Sequence, residues 1–380
     1  MSVPQMHAAG SRMNKRLAIA VITIGLLATG VAPAQAAVKA GAKCASAKAK
    51  IIEQGLTYTC LKNGKKLTWS KGVEPKAPTS FADLEQNAKS VAYWAWKKSS
   101  QVVAASPAKA PNLNIYVGPN SVILNDRAKP AMELVSRLYP TAKAPASVNL
   151  VYYTFKDLAW AQAKLNELSN NESRNVTDGV DRNCRAELDC SGASARTTRD
   201  GVAILLFGVQ IPVPTDAMHT SGTLEAHEYT HNLQQAPSVG TRSNWALVPR
   251  WYTEGGATFA QAASIFHATY NSYRIERDLR TQDLAKGTWM TQAWLEEFIN
   301  PPGWSDWSVW DKYAGWRVYD VGCAVTEILT ALKGPAATMQ LIDRVAEGDT
   351  YDQAFEKTYG IKWVDAVPII SRTILKEYKP

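Results

Sequence analysis

The sequence predicts an α+β protein, in which a small mixed sheet flanks a central helix and a mainly helical part follows. Three observations predict this fold class. Between residues 81 and 210, runs with the two-residue period of strands alternate with runs of helical period. Beyond Pro249, almost every run has the helical period. Ahead of both, residues 37–73 are rich in lysine and contain Asn63-Gly64, a dipeptide typical of a β-hairpin.

The first 36 residues are predicted to be a signal peptide. Lys15 and Arg16 precede an apolar run, and Ala34-Gln35-Ala36 is a small-residue cleavage pattern. An uncleaved anchor helix is the alternative, but the run is short for a membrane span. We therefore expect a secreted protein with no transmembrane segment after signal cleavage. The 380 residues, 46% of them apolar and 20% charged, are typical of a folded protein with a sizeable core.

The five cysteines are consistent with export, because nearby cysteines usually pair in an oxidising compartment. Proximity in the chain suggests one disulfide between Cys44 and Cys60 and another between Cys184 and Cys190. Cys323 lies in an apolar run, so we expect it to be unpaired and buried.

The net charge of +8 is concentrated in one short segment. Residues 37–80 carry nine lysines against Glu53 and Glu74, whereas residues 81–380 have 30 basic and 32 acidic side chains. Within this segment, residues 37–73 contain two alternating runs around Asn63-Gly64 and are predicted to form a two-stranded hairpin linked by the first disulfide. Residues 74–80 are predicted to be a linker.

The hairpin segment resembles a short lysine-rich, two-cysteine module found near the N-terminus of secreted actinobacterial proteins. A polycation on a secreted protein suggests contact with an anionic surface, such as cell-wall polymers or lipid headgroups. A solvated lysine-rich linker is the alternative. Nucleic acid is not an expected partner outside the cell.

The elements that follow are predicted from their periods. The helical runs are "FADLEQNAKSVAYWAWKKSSQVV" and "KDLAWAQAKLNELSN", and the strand-like runs are "LNIYVG", "VNLVYYTF" and "GVAILLFGVQIPV". Residues 171–200 are polar and are predicted to be a loop. The last strand comes just before the segment with the most informative spacing.

That segment is "EAHEYTHNLQQ", residues 225–235, in which His227 and His231 are four residues apart and Glu228 follows the first histidine. On a helix this spacing puts both imidazoles on one face, where they can bind one metal ion. Thr223 is expected to cap the helix and Pro237 to end it. A polar helix face without a metal is the alternative.

A third ligand is predicted 23 residues after His231, where "PRWYTEGGATFAQ" places Glu254 near the start of another helical run. Gly255 and Gly256 would let this helix pack closely against a neighbour. Two histidines and a glutamate form a zinc ligand set that leaves one position open for water. Glu228 is then available as the base that takes a proton from that water.

At these residues the chain resembles the gluzincin metallopeptidases, particularly the branch that includes aminopeptidase N. The resemblance rests on HExxH, on the "WxxEGxA" pattern at 251–257 and on Tyr-x-x-Gly at 319–322. It implies a zincin-like catalytic domain over residues 81–380, with zinc on His227, His231 and Glu254. It also implies that Tyr319 stabilises the oxyanion, with Tyr313 as the rival for this role.

The chain also departs from the family pattern. Thr258 stands where thermolysin-like enzymes often have aspartate, and Thr253 stands where aminopeptidases have asparagine. The groups that hold the ligands in place are therefore unassigned. The strand "GVAILLFGVQIPV" lacks the glutamate with which aminopeptidases bind a free amine, which favours an endopeptidase whose peptide pairs with the edge of that strand.

The sequence therefore predicts a secreted zinc-dependent peptidase acting on peptide or protein substrates. One alternative is a cell-surface binding or scaffold protein with a non-catalytic zinc site, and another is a zinc amidase acting on peptidoglycan peptides. Trp304, Trp307 and Trp310 recur every third residue and either line a cleft or pack in the core. His219 and His267 flank the two helices as possible supporting groups.

Overall fold

A computed structural model describes residues 38–171, 178–240 and 247–379. The predicted signal peptide lies outside these residues. Among the helices described, none has both the length and the apolar character needed to cross a membrane. The strands are β1 (Lys50–Glu53), β2 (Leu56–Asn63), β3 (Lys66–Trp69), β4 (Asn112–Val117), β5 (Ser147–Tyr153), β6 (Ala193–Thr197) and β7 (Ala203–Gly208).

Helices make up most of the remainder, and after Pro249 the described residues contain helices and no strand, as predicted. The helices are α1 (Phe81–Leu84), α2 (Val91–Ala105), α3 (Ala128–Leu138), α4 (Leu158–Leu168), α5 (Asp178–Asn183), α6 (Ala217–Thr220), α7 (Thr223–Gln235), α8 (Arg250–Ile265), α9 (Tyr270–Arg280), α10 (Gln282–Lys286), α11 (Gln292–Ile299), α12 (Arg317–Lys333), α13 (Ala336–Ala346), α14 (Tyr351–Tyr359) and α15 (Trp363–Tyr378).

The N-terminal segment forms a three-stranded antiparallel sheet, β1-β2-β3, so the prediction of a two-stranded hairpin was wrong in strand number. The additional strand, β1, is joined to β2 by Gln54-Gly55, whose φ angles of 50° and 74° suit a tight hairpin turn. The second turn is also shifted by one residue, because Asn63 pairs with Lys66 and leaves Gly64 at the first central position with φ 62°.

Both predicted disulfides are present, Cys44–Cys60 and Cys184–Cys190, and Cys323 is unpaired and buried as expected. Disulfides are compatible with an extracellular protein. The first one ties the segment before β1 to β2. The second closes a six-residue span between α5 and β6.

The N-terminal sheet packs against the helical body through its first turn. A Cβ on Gly55 would lie 2.3 Å from the ring of Tyr93, and Tyr270 closes the other side of this contact. Residues of the predicted linker also contact α2, since the indole of Trp94 donates to the Pro75 carbonyl over 3.0 Å. The sheet and the segment that follows it are therefore held against α2 and α9.

The second sheet has the order β4-β5-β7-β6, in which β4, β5 and β7 are parallel and β6 is antiparallel. This is the mixed sheet that the sequence predicts. The expectation that a peptide pairs with the edge of β7 is wrong, because β7 lies between β5 and β6. The edge strand next to β7 is β6, which falls in a stretch predicted to be a loop.

Apolar side chains cover both faces of this sheet, because alternate residues of β5 and β7 point to opposite sides. One face, which includes Leu150, Tyr152 and Phe207, belongs to the main core together with α3, α7 and the C-terminal helices. The other face, which includes Val151 and Leu206, packs on α4, α5 and the second disulfide. The sheet thus holds α7 on one side and α5 on the other.

Helix α8 packs between α7 and α12, and two glycines set its approach to α12. A Cβ on Gly255 would lie 2.0 Å from the carbonyl carbon of Gly322, and a Cβ on Gly322 would lie 2.1 Å from the Trp251 oxygen. No side chain fits there, so the two backbones touch. This confirms the close packing predicted for Gly255.

We predict that Gly255→Ala destabilises the fold, because the methyl group must push α8 and α12 apart. The free energy of unfolding should fall by about 3 kcal/mol, although alanine is the better helix former. Thermal unfolding monitored by circular dichroism measures the effect. Gly315→Ala is the control, since a Cβ there meets no atom within 4 Å. Equal melting temperatures for the two variants would contradict the prediction.

Candidate metal centre

Helix α7 begins differently from the prediction. Its N-cap is Gly222, in the left-handed region at φ 86°, and a Cβ at this position would lie 2.8 Å from the Cβ of Arg127. Thr223 is already helical, and its hydroxyl donates to the Ala217 carbonyl over 3.3 Å, so it does not cap the helix. The helix ends at Gln235, just before Pro237, as expected.

The histidines of α7 and the glutamate of α8 converge on one point. The Nε2 atoms of His227 and His231 are 3.2 Å apart. Oε2 of Glu254 lies 3.6 Å from Nε2 of His227 and 3.3 Å from Nε2 of His231. Among the described residues, this is the group of histidine and carboxylate side chains that can hold a metal ion.

Two glutamines fix the imidazole rings. Nδ1 of His227 donates to Oε1 of Gln261 over 2.9 Å, and Nδ1 of His231 donates to Oε1 of Gln234 over 2.8 Å. Because an amide oxygen only accepts, a hydrogen lies on each Nδ1 and each Nε2 faces the shared point. The Gln234 amide is itself oriented, since its nitrogen donates to the Thr253 carbonyl over 3.0 Å.

These glutamines take the supporting role that the sequence left unassigned. Gln234 follows His231 by three residues on α7, and Gln261 follows Glu254 by seven on α8, so each pair shares a helix face. That spacing was the signal available in the sequence. His219 and His267 have no such role, because their Nδ1 atoms contact Asp216 and the Ser264 carbonyl instead.

The three candidate ligand side chains also stabilise one another's charged forms. Burial opposes the charge on His231, but the Glu254 carboxylate outweighs it and raises the pKa of His231 to about 9. Burial likewise opposes ionisation of Glu254, yet the two imidazoles lower its pKa well below the usual value. The cluster therefore attracts positive charge, whether a proton or a metal cation.

Glu228 lies beside this cluster and lines the same cavity. Burial raises the pKa of its carboxyl, and the nearby imidazoles only partly oppose this. A raised pKa makes a carboxylate a stronger base, as general acid–base catalysis at neutral pH requires.

Tyr319 on α12 faces the same cavity, whereas Tyr313 does not line it. The ring of Tyr319 lies 5.9 Å from that of His227. The Glu254 carboxylate, followed by burial and Glu228, raises the pKa of Tyr319, so its hydroxyl stays protonated and can donate. The Tyr313 hydroxyl instead donates to Glu297 over 3.1 Å, and its ring packs on Phe298.

The cavity above the cluster has a volume of about 760 Å³. One wall is formed by β6 and α5, and the other by the end of α9, the start of α10 and the segment before α12. The tryptophans divide between the two predicted roles. Trp307 lines this cavity, whereas Trp310 is buried and donates to the Phe298 carbonyl, and Trp304 packs on Tyr351.

No protein-family model, curated protein or solved structure matches this chain. The assignment of this candidate site therefore rests on the geometry of its residues alone.

We predict that Gln261→Ala and Gln234→Ala each weaken metal binding by about 10- to 100-fold. Without the amide, neither the tautomer nor the orientation of the imidazole is fixed for binding through Nε2. Competition with a chromophoric chelator measures the affinity for zinc. Gln101→Ala, at an exposed position on α2, is the control. Unchanged affinity in both site variants would show that these amides do not orient the ligands.

Proposed function

We propose that this protein is a secreted, zinc-dependent peptidase of gluzincin type, and that residues 81–380 form its zincin-like catalytic domain. One observation carries the proposal: two imidazole nitrogens and a carboxylate oxygen meet at the floor of a cavity that Glu228 and Tyr319 also face. Each of these groups has a distinct part in amide hydrolysis.

The separations of the ligand atoms support zinc. Zinc binds imidazole nitrogen at about 2.0–2.1 Å, and a tetrahedral angle then places two such nitrogens about 3.3 Å apart. The Nε2 atoms lie 3.2 Å apart, and the carboxylate oxygen of Glu254 lies at similar distances from both. Three protein ligands leave the fourth position for water, as catalytic zinc sites require.

In the proposed mechanism, His227, His231 and Glu254 would hold a zinc ion, which would supply the Lewis acidity that activates water and polarises a carbonyl. Glu228 takes the proton from the attacking water and later gives it to the leaving amine. Tyr319 donates a hydrogen bond to the oxygen on which negative charge develops. Gln261 and Gln234 keep the imidazoles of the site in position.

The edge of β6 is the proposed binding surface for the peptide backbone. Gly192 and Thr198 flank this strand, and both form backbone hydrogen bonds toward β7. The Gly192 carbonyl accepts from the Gly208 amide, and the Thr198 amide donates to the Val202 carbonyl. Because alternate residues of an antiparallel strand point their backbone groups to opposite sides, the odd-numbered residues of β6 direct theirs away from β7. No described strand pairs with this edge, and its residues that also line the cavity are Ala193 and Ala195.

An extended substrate on this edge supports endopeptidase rather than aminopeptidase action. The β6 sequence "ASART" contains no carboxylate that could bind a free amine, just as β7 contains none. Main-chain pairing with a strand edge holds residues on both sides of a scissile bond.

We predict that Glu228→Gln retains zinc but lowers kcat by about 10³-fold, because the amide cannot accept the proton from water. Metal content by atomic emission and digestion of a peptide library measure the two properties together. Unchanged hydrolysis by this variant would refute the mechanism. Zinc binding with no cleavage of any peptide by the wild-type protein would favour a scaffold, and release of wall fragments alone would favour an amidase.

The same library tests the tyrosine assignment. Tyr319→Phe should lower kcat while leaving zinc affinity unchanged, because the hydroxyl acts on the developing charge and not on the metal ligands. Tyr313→Phe is the matched control, and equal losses in the two variants would remove Tyr319 from its proposed role.

The proposed partner of the N-terminal sheet is an anionic cell-wall surface. Its described lysines are all exposed, and none forms an ion pair with another described residue: Lys39, Lys43, Lys48, Lys50, Lys62, Lys65, Lys66 and Lys71. Strand register places Lys50 and Lys66 on the same face, because their partners Thr59 and Asn63 are an even number of residues apart on β2. Unneutralised charges on one face attract a polyanion.

Replacing Lys43, Lys50 and Lys66 together by glutamate should abolish sedimentation with isolated cell walls at low salt, because the sheet then repels a polyanion. The matched control replaces three exposed lysines elsewhere, Lys129, Lys286 and Lys362. Equal sedimentation of both triple variants would contradict a role for the sheet.

A further inference from the structure

Most charged side chains on the cavity wall opposite β6 already have ionic partners. Arg280 binds Glu276 on the same helix over 2.7 Å. Asp283 lies 3.3 Å from Arg317, which is also paired with Asp320. These side chains neutralise one another, so this wall offers little free charge to a ligand.

Arg182 differs from them. Its exposed side chain, on the last turn of α5, lines the cavity and forms no hydrogen bond or ion pair with any residue that the structure describes. The charge of its guanidinium also acts on Tyr319, which lies at the end of the cavity next to the candidate metal ligands. The pKa of Tyr319 is raised chiefly by Glu254, and Arg182 is among the cations that oppose this rise.

The backbone that carries this guanidinium is firmly attached to β6. Asn183 donates from its side chain to the Ser194 hydroxyl over 2.9 Å, and its carbonyl accepts from the Gly192 amide over 3.0 Å. The approach is so close that a Cβ on Gly192 would lie 2.8 Å from the Cα of Asn183. The disulfide Cys184–Cys190 closes the same turn.

The edge of β6, with which no described strand pairs, and the guanidinium of Arg182, which has no partner among the described residues, therefore belong to one wall. A peptide extended along β6 would pass beside the guanidinium, which offers a planar fork of donors that matches a carboxylate. Because its backbone is already fixed, the entropic cost of binding is confined to the arginine side chain.

We propose that Arg182 is a specificity-determining residue that binds a carboxylate of the peptide substrate near the scissile bond. This inference rests on the proposed peptidase function and defines its substrate class as anionic peptides. The carboxylate belongs either to an aspartate or glutamate side chain or to the C-terminus of the peptide. Both sources present the same planar anion to the guanidinium.

The test compares peptides that differ in a single carboxylate. One pair exchanges glutamate for glutamine at successive positions around the cleaved bond, and another exchanges a free C-terminus for an amide. The wild-type protein should favour the carboxylate member of one pair in kcat/KM by about 10- to 100-fold. Whichever pair shows the preference identifies the source of the carboxylate.

Arg182→Gln should abolish this preference while leaving hydrolysis of neutral peptides intact, and Arg182→Glu should shift the preference to lysine-containing peptides. Arg185→Gln is the matched control, because Arg185 is exposed near the same turn, pairs with Asp189 over 2.9 Å and does not line the cavity. Equal preferences in the wild-type protein and Arg182→Gln would overturn the proposal.

A binding measurement separates failure of this proposal from failure of the peptidase function. Uncleavable reduced-amide peptides, with and without the carboxylate, are titrated into the zinc-loaded Glu228→Gln protein and into the same protein carrying Arg182→Gln. A carboxylate preference that needs Arg182, found together with a wild-type protein that cleaves no peptide, would retain the site and refute only the catalysis. No preference in either protein would refute the site.

Discussion

The backbone contact between Gly255 and Gly322 fixes the geometry on which the candidate site depends. Glu254 directly precedes the first glycine, and Tyr319 lies one helical turn before the second. Because the two helices touch with no side chain between them, the carboxylate and the phenol are brought to the same cavity. A wider separation of α8 and α12 would withdraw Tyr319 from the cluster while leaving the histidines in place.

Helix α7 has a polar sequence, yet it is buried along almost its whole length. Several of its polar groups are stabilised there by partners outside the helix. Asn125 donates to Glu225 over 2.9 Å, and the hydroxyls of Tyr229 and Ser136 lie 3.1 Å apart. Burial and pairing together leave little freedom to His227 and His231, the two candidate ligands on this helix, and so preorganise the candidate site.

The features predicted from the sequence are those with a local signal. Strands β4, β5 and β7 and the long helices follow from periodicity, and the metal cluster follows from the spacing of His227, His231 and Glu254. Strand β6 was missed because "ASART" contains no large apolar residue and lies in a polar stretch, and it forms through its pairing with β7. The position of Arg182 beside the cavity depends on how α5 packs, which no local pattern in the sequence encodes.

The second disulfide affects the motion of the folded chain more than its overall stability. A cross-link around only six residues removes little freedom from the unfolded chain, about 2 kcal/mol, so it adds modestly to overall stability. Its larger effect is on the folded state, where it prevents α5 and β6 from fluctuating independently. A reduced chain would keep its core and its metal ligands, yet the cavity would have one wall free to open. For the proposed peptidase, peptide binding along β6 would then be weaker under reducing conditions than under oxidising ones.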